Sequence, residues 1–253
     1  MIIEHNQPIA VIADIHGNIW ALDAVLKDIQ GRGIQQIINL GDNFWGPLEP
    51  AQTADRLLGL EMINISGNED RLLIAPNDPA KQSMSYQFTM KQLQAAHLHW
   101  LEQLPQTYVD DQLVICHGTP DSDETYLLEQ VTEHGVVVNE SATLSQILKE
   151  TPQKIILCAH SHVPRLVSLN DQLILNPGSV GVPAYSDDSP FPHAMETYSP
   201  HARYAIISRG ANRDLYTIEQ LAISYPWQAA VTKARQNGRE DWAYWLETGR
   251  GTP

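Results

Sequence analysis

The chain is poor in cysteine, in basic residues and in long apolar runs, and each scarcity excludes something. Only Cys116 and Cys158 occur in 253 residues, each just before a histidine inside an apolar run. That placement predicts two buried, reduced thiols rather than a disulfide framework or a redox pair. Lys and Arg number 16 against 30 Asp and Glu, a net charge of −14. A body this acidic repels polyanions and has no basic stripe, so no nucleic acid is expected as partner. No apolar run approaches the roughly 20 residues of a membrane span, so no membrane is expected either. Residues 1–8 show no apolar stretch behind a basic start, so no secretory leader is expected. The expected location is therefore cytoplasmic. Repeats, low-complexity tracts and linkers are absent too, which predicts one domain over residues 1–253.

What is present is a 43% hydrophobic content arranged with clear periodicity. Residues 8–13 form a continuous apolar run, the pattern of a buried strand. Leu22, Val25, Leu26 and Ile29 then recur at helical spacing up to Gly31, with Asn18 placed to cap that helix. Residues 34–40 and 62–65 read as further buried strands, with a helix over 51–58 between them. Strands alternating with helices predict a parallel sheet covered on its faces. Leu93, Ala96, His97, Trp100, Leu101 and Leu104 predict a long amphipathic helix ending at Pro105. Hairpins are predicted around Asp110-Asp111 and Asn170-Asp171, a helix over 141–150, a strand over 155–158 and a hairpin of 203–208 with 215–218. A helical tail over about 226–247 carries Trp227, Trp242 and Trp245, expected as core or subunit contacts. An oligomer is compatible with this. Residues 182–201 hold Pro183, Pro190, Pro192 and Pro200 without periodicity, predicting an irregular loop that either covers the pocket or lies on the surface.

Five polar motifs interrupt this framework where strands end. They are Asp14-Ile15-His16-Gly17-Asn18, Gly41-Asp42-Asn43, Gly67-Asn68-Glu69-Asp70, His117-Gly118-Thr119 and Ala159-His160-Ser161-His162. Open α/β sheets carry their sites in the crevice beyond the carboxyl ends of strands. In extended chain, residues i and i+2 point to one side, so Asp14 with His16, and His160 with His162, can aim at one point. Two carboxylates, an amide and four imidazoles suit borderline divalent metals such as Mn, Fe, Zn, Co or Ni. These ligands exceed the needs of one tetrahedral ion, whereas two ions sharing a bridging carboxylate would use Asp14, His16, Asp42, Asn68, His117, His160 and His162. His97, on an apolar helix face, reads as a core histidine, and His5, His99 and His134 as surface residues. Asp121, Asp123 and Glu124 read as a solvated acidic loop.

The order Asp-x-His, Gly-Asp, Gly-Asn, His-Gly, His-x-His resembles the calcineurin-like metallophosphoesterase superfamily. Asn176-Pro177-Gly178-Ser179 and the C-terminal helix pair look like its small bacterial and archaeal phosphodiesterase subgroup. The resemblance implies an α/β fold of two packed β-sheets flanked by helices on both outer faces. It also implies two divalent metal ions, with Asp14, His16 and His162 on one, Asn68, His117 and His160 on the other, and Asp42 bridging them. The implied reaction is phosphoester hydrolysis, most simply of a phosphodiester, by in-line attack of a metal-held hydroxide, with Asp42, Asn68 and His117 at the reaction centre. Two such ions bring +4 and the two aspartates remove about 2, leaving a positive crevice on a negative body. Substrate contacts are expected from Asn43, Glu69, Asn176, Ser179, His193 and His201, and the partner is a small phosphoester or a nucleotide. Two departures stand out. Glu69 occupies a position that often carries a proton-donating histidine, and its carboxyl is expected near an ordinary pKa of about 4.3. Trp45 precedes Gly46 where the superfamily's protein phosphatases carry arginine. The alternatives are a dinucleoside polyphosphate hydrolase, a phosphomonoesterase and a non-catalytic metal-binding scaffold.

Overall fold

The computed structural model describes residues 3–210 and 215–252. The first apolar run becomes β1 (Ile9–Ile12), buried along its whole length. It leads into α1 (Ile19–Gly31), where the Asn18 side chain accepts a hydrogen bond from the Ala21 N–H as a cap. The chain continues through β2 (Gln36–Asn39), α2 (Pro50–Leu58), β3 (Ile63–Asn64), α3 (Asn68–Ile74), α4 (Asp78–Gln82), α5 (Met84–Gln92) and α6 (Ala95–Glu102). Next come β4 (Thr107–Val109), β5 (Leu113–Cys116), β6 (Glu129–Thr132), β7 (Gly135–Val138), α7 (Ser141–Ile147), β8 (Ile155–Leu157), β9 (Arg165–Leu169) and β10 (Gln172–Asn176). The last elements are β11 (Ala184–Asp187), β12 (His193–Glu196), β13 (Ala202–Arg209), β14 (Tyr216–Ile223), α8 (Trp227–Gln236) and α9 (Glu240–Thr248).

Two five-stranded sheets result, in the orders β14-β13-β1-β2-β3 and β4-β5-β8-β10-β9. Each has three parallel strands, β1, β2 and β3 in one and β5, β8 and β10 in the other. Strand alternation divides the apolar side chains between faces. Val11, Ala13, Ile38 and Leu40 meet Ile115, Leu157 and Leu175 between the sheets. Ala10 and Ile12 turn the other way, against Leu22 and Val25 of α1 and Val231, Trp242 and Leu246 of the tail. On the far face of the second sheet, Val114, Cys116, Ile156 and Cys158 pack with Leu144 of α7. The outcome is the expected sandwich of two sheets between helical layers. Each fully buried Leu or Ile contributes about 1.5–3 kcal/mol to holding it. Both cysteines are free and buried there, and burial pushes the Cys116 thiol up to about 12. Among the described residues no helix is long and apolar enough to cross a membrane.

Two expectations are corrected. The helix over residues 93–104 shrinks to α6, because Leu93 is extended (ψ 141°) and closes α5 instead. The periodic residues there belong to two elements. Residues 182–201 are not irregular, since β11 and β12 pair antiparallel, Ala184 with Glu196 through Asp187 with His193. Pro190 and Pro192 lie in the connection, and Pro183 and Pro200 lie outside both strands, so the prolines frame the hairpin without costing it a ladder bond. The β6–β7 hairpin was not expected at all. Its faces are half exposed, which leaves little hydrophobic alternation to read. The turn of the predicted last hairpin falls on residues 211–214, outside the described residues.

Candidate metal centre

Four of the five motifs emerge from the carboxyl ends of β1, β2, β5 and β8, and the fifth opens α3 just after β3. The backbone route differs from the expected pleat. Asp14, His16, Asp42, His160 and His162 have φ of 53°, 50°, 56°, 67° and 60°. Left-handed backbone is uncommon for residues with a Cβ, and such outliers gather at functional sites. Only Asn170 and Tyr198 share it among the other described non-glycine residues. Asp14 and His16 thus converge through tight left-handed turns, which aim side chains of several strands at one spot.

Two ligand sets form there. Asp14, His16 and His162 each offer a ligand atom within 4.8 Å of the others, as do Asp42, His117 and His160. Asp42 also groups with His16 and Glu69, so its carboxylate faces both sets. His16 Nε2 and His162 Nε2 stand 3.1 Å apart, and His117 Nε2 is 3.2 Å from Asp42 Oδ2. His117 Nδ1 donates to the Leu40 carbonyl and His162 Nδ1 to the Val182 carbonyl, each at 2.7 Å, leaving Nε2 to face the site. The Glu69 N–H donates to Asp42 Oδ1 at 2.9 Å. A Cβ at Gly67 would collide with that same carboxylate, so only glycine lets the two motifs approach.

The residues present fit a metal. Asp14 is fully buried, yet neither of its oxygens has a hydrogen-bond partner, and Asn68 Oδ1 is likewise buried and unpaired. Orphaned buried oxygens are costly and rare, and a cation satisfies them. The acid–base balance points the same way. Burial pushes the Asp14 carboxyl up to about 7. Burial alone would lower His16 and His117, but Glu69 raises His16 to about 9 and Asp42 raises His117 to about 10. Asp42, despite a burial that works against its charge, is held well below the usual carboxylate range by His117 and then His16.

Glu69 requires a correction. Burial raises its carboxyl to about 7, against the opposing charge of His16, so it is not an ordinary exposed acid. Its Oε2 lies 3.0 Å from His16 Nδ1, beside the Trp45 carbonyl that accepts from the same nitrogen at 3.2 Å.

Asn43, Asn176, Ser179, His193 and His201, expected as substrate contacts, are not among the residues lining the cavity over the ligand sets and are engaged within the protein. Asn43 is fully buried between Asn39, whose amide it accepts from, and Asp70, to which it donates at 2.7 Å. Asn176 donates to the Ala159 carbonyl at 2.9 Å and to Ser161 Oγ at 3.1 Å, tethering the His-x-His turn from behind. Ser179 Oγ donates to the Asp14 carbonyl and accepts from the Val182 N–H, both at 2.8 Å. His193 sits behind Tyr126, with Nδ1 bonded to the Phe191 carbonyl. His201 bonds Ser199 and packs on Trp227, away from the site. His97 is a core histidine, 3.0 Å from Asp55. In the acidic loop, Asp123 and Glu124 pair with Arg71.

Several residues escaped the sequence. Asp70 accepts from the N–H groups of Asp42, Asn43 and Gly67, locking the second motif to the third. Its position in the first turn of α3 was the available signal. A cavity of about 850 Å³ opens over the ligand sets, lined in part by Trp45, Tyr126, Tyr185, Arg239, Trp242 and Trp245. Their scatter over the chain left no local pattern.

Residues 8–195 match the model of the calcineurin-like phosphoesterase superfamily domain. The chain is 28% identical over 205 residues to the uncharacterized protein MJ0912 of Methanocaldococcus jannaschii, covering 69% of this chain and 76% of that one. A metallophosphoesterase crystal structure from Sphaerobacter thermophilus superposes with a TM-score of 0.73 at 23% identity, over 96% of this chain and 100% of that one. The hypothetical protein PH1004 from Pyrococcus horikoshii OT3 superposes with a TM-score of 0.71 at 18% identity, over 97% and 99%.

Proposed function

The chain belongs to the calcineurin-like phosphoesterase superfamily, and from that premise we propose that it is a two-metal phosphodiesterase for small or nucleotide esters, of the small bacterial and archaeal kind. The observation that carries this is the pair of adjacent ligand sets around the orphaned Asp14 and Asn68 oxygens, with Asp42 facing both. Asp14, His16 and His162 would hold one divalent ion, and Asn68, His117 and His160 the other. Mn, Fe, Zn, Co and Ni all suit this donor set. Bound ions of this kind polarise phosphoryl oxygens and acidify a water for attack. Asp42 would set the spacing of the two sites, its carboxylate oriented by the Glu69 N–H and its turn fixed by Asp70. His117 and His162 present Nε2 because their Nδ1 protons are committed to backbone carbonyls.

Trp45 favours a diester over a monoester. It lines the cavity and stands at the sequence position where the superfamily's protein phosphatases are expected to carry arginine, offering apolar surface instead. With Mn²⁺ supplied, bis-p-nitrophenyl phosphate is expected to show kcat/KM about tenfold or more above p-nitrophenyl phosphate, or about 1.4 kcal/mol of transition-state preference. A monoester hydrolysed as well as the diester would overturn the diesterase assignment. Activity untouched by exhaustive chelation would overturn the metal requirement.

Glu69 is proposed as a positioning residue for His16, in the manner of a carboxylate behind a metal-binding imidazole. Glu69→Gln is expected to weaken metal retention about 10–100-fold, read as metal content after dialysis against graded chelator. Unchanged retention would show that Glu69 does not act through His16.

A further inference from the structure

A phosphate group fills only a small part of a cavity of about 850 Å³, so most of that space must serve the rest of the substrate. Its walls near the ligand sets are aromatic. Tyr126 stacks on His160 with ring centroids 4.6 Å apart, and Tyr185 packs edge-on against His162 at 4.7 Å. Their hydroxyls bond each other at 2.7 Å, and the Tyr185 hydroxyl also donates to the His160 carbonyl at 3.1 Å. With those polar ends committed, the two tyrosines present mainly ring surface. From α9, Trp242 meets His16 edge-on at 5.9 Å, and Trp245 packs 5.9 Å from Trp242. Trp242 can close up there because residue 46 is glycine, since a Cβ would run into the indole. The Trp245 N–H is committed to Thr252 Oγ1 at 2.8 Å.

The charges of the cavity are equally selective. Beyond the ligand sets and Glu69, its lining carries the carboxylates of Glu124, Glu129 and Asp187 and one guanidinium, Arg239. Arg239 gives Nε and Nη2 to Asp241 at 2.9 and 2.7 Å, and Nη1 to Ser85. Among the described lining residues no other Lys or Arg is present to meet a second phosphate. Glu124 is balanced by Arg71 at 2.7 Å and Glu129 by Arg165 at 2.9 Å, so a polyphosphate chain leaving the metal centre would meet the Asp187 carboxylate and no uncommitted cation.

We infer that this cavity recognises the non-reacting arm of the ester as a planar, uncharged ring system, an aryl or nucleoside group on a single phosphate, and discriminates against a second phosphate. The inference rests on the phosphoesterase assignment and deepens it by naming the substrate class. Stacking on ring surface supplies the affinity, and the lack of an uncommitted cation in the described lining, with Asp187 beside it, supplies the discrimination.

Calorimetric titration of the full chain supplied with Mn²⁺ tests it with adenosine 5′-monophosphate, ribose 5-phosphate and adenosine 5′-diphosphate. The first two share one phosphate and differ in the ring system. The monophosphate is expected to bind about tenfold or more tighter than ribose 5-phosphate, and the diphosphate no tighter than the monophosphate. Tyr126→Leu is expected to bring the first ratio close to one. The wild-type ratios stand even where that variant fails to fold. Equal affinity for the nucleotide and the sugar phosphate overturns the ring subsite. A diphosphate bound about tenfold tighter than the monophosphate overturns the charge discrimination. Absence of binding by all three removes the phosphoester site itself, an outcome distinct from binding without ring preference.

Discussion

Asp42→Asn is expected to lower turnover on the order of 10²–10³-fold while leaving the chain folded. Asp42 groups with His117 and His160 on one side and with His16 on the other, and Asp14 reaches the second set less closely, its Oδ1 standing 3.9 Å from His117 Nε2. An amide has a single oxygen and no charge, so it cannot span two cations. The fold should persist because Asn can still accept the Glu69 N–H and because the backbone bonds from residue 42 to Asp70 and His16 do not involve its side chain. Steady-state rates with Mn²⁺, beside circular dichroism and metal content, decide the matter. Near-normal turnover in a folded variant would falsify the two-metal proposal.

Metal affinity is expected to climb steeply with pH, by up to about a hundredfold per unit near neutrality. His16 and His117 are raised from 6.5 to about 9 and about 10, so without metal both carry protons at pH 7. An ion must displace them, and two displaced protons give a slope of up to about two decades per pH unit. The stability of the metal-free protein follows with a definite sign. A raised histidine contributes stability that is fully present below its unfolded value of 6.5 and is lost as pH rises through about 9 and 10. Asp14, raised from 3.8 to about 7, acts in the same direction over its own window, because the folded state again holds the extra proton. The metal-free Tm should therefore fall from pH 6.5 towards 9, while the gain in Tm on adding metal widens. Metal titration in weak buffer at pH 7 should release about two to three protons per chain, two from the imidazoles and a fraction from Asp14. Release of none, with metal bound, would mean that both imidazoles were already neutral.

The clustering of His and Asp side chains could be read in advance because they are written as short motifs at strand ends, a position that local hydrophobic patterning locates. Asp14 to His16, Asp42, His117 and His160 to His162 all announced themselves in this way. Asn43, Asn176 and Ser179, expected as substrate contacts, lie outside the cavity lining for a common reason. A polar residue beside a ligand motif can face the site or brace it from behind, and sequence spacing does not separate the two. Asn176 braces, with its amide spent on Ala159 and Ser161. Glu69 was misjudged because its ionisation depends on burial and on His16, 53 positions away in the chain.

By itself the sequence determined the two-sheet class, the strand-end location of the donors, the buried thiols and the superfamily. The strand-end positions and the thiols follow from local periodicity and residue chemistry, and the two-sheet class and the superfamily from the resemblance that the motif order carries. Only the tertiary structure decided which polar neighbours enter the cavity, how residues 184–196 pair, and that Tyr126, Tyr185, Trp242 and Trp245 line one space. Those four come from a loop, a hairpin and the final helix, and their meeting is set by the packing of the tail on α1 and on β11. Packing of that kind arises from long-range burial of apolar surface, which is non-directional and leaves no fixed spacing in the chain.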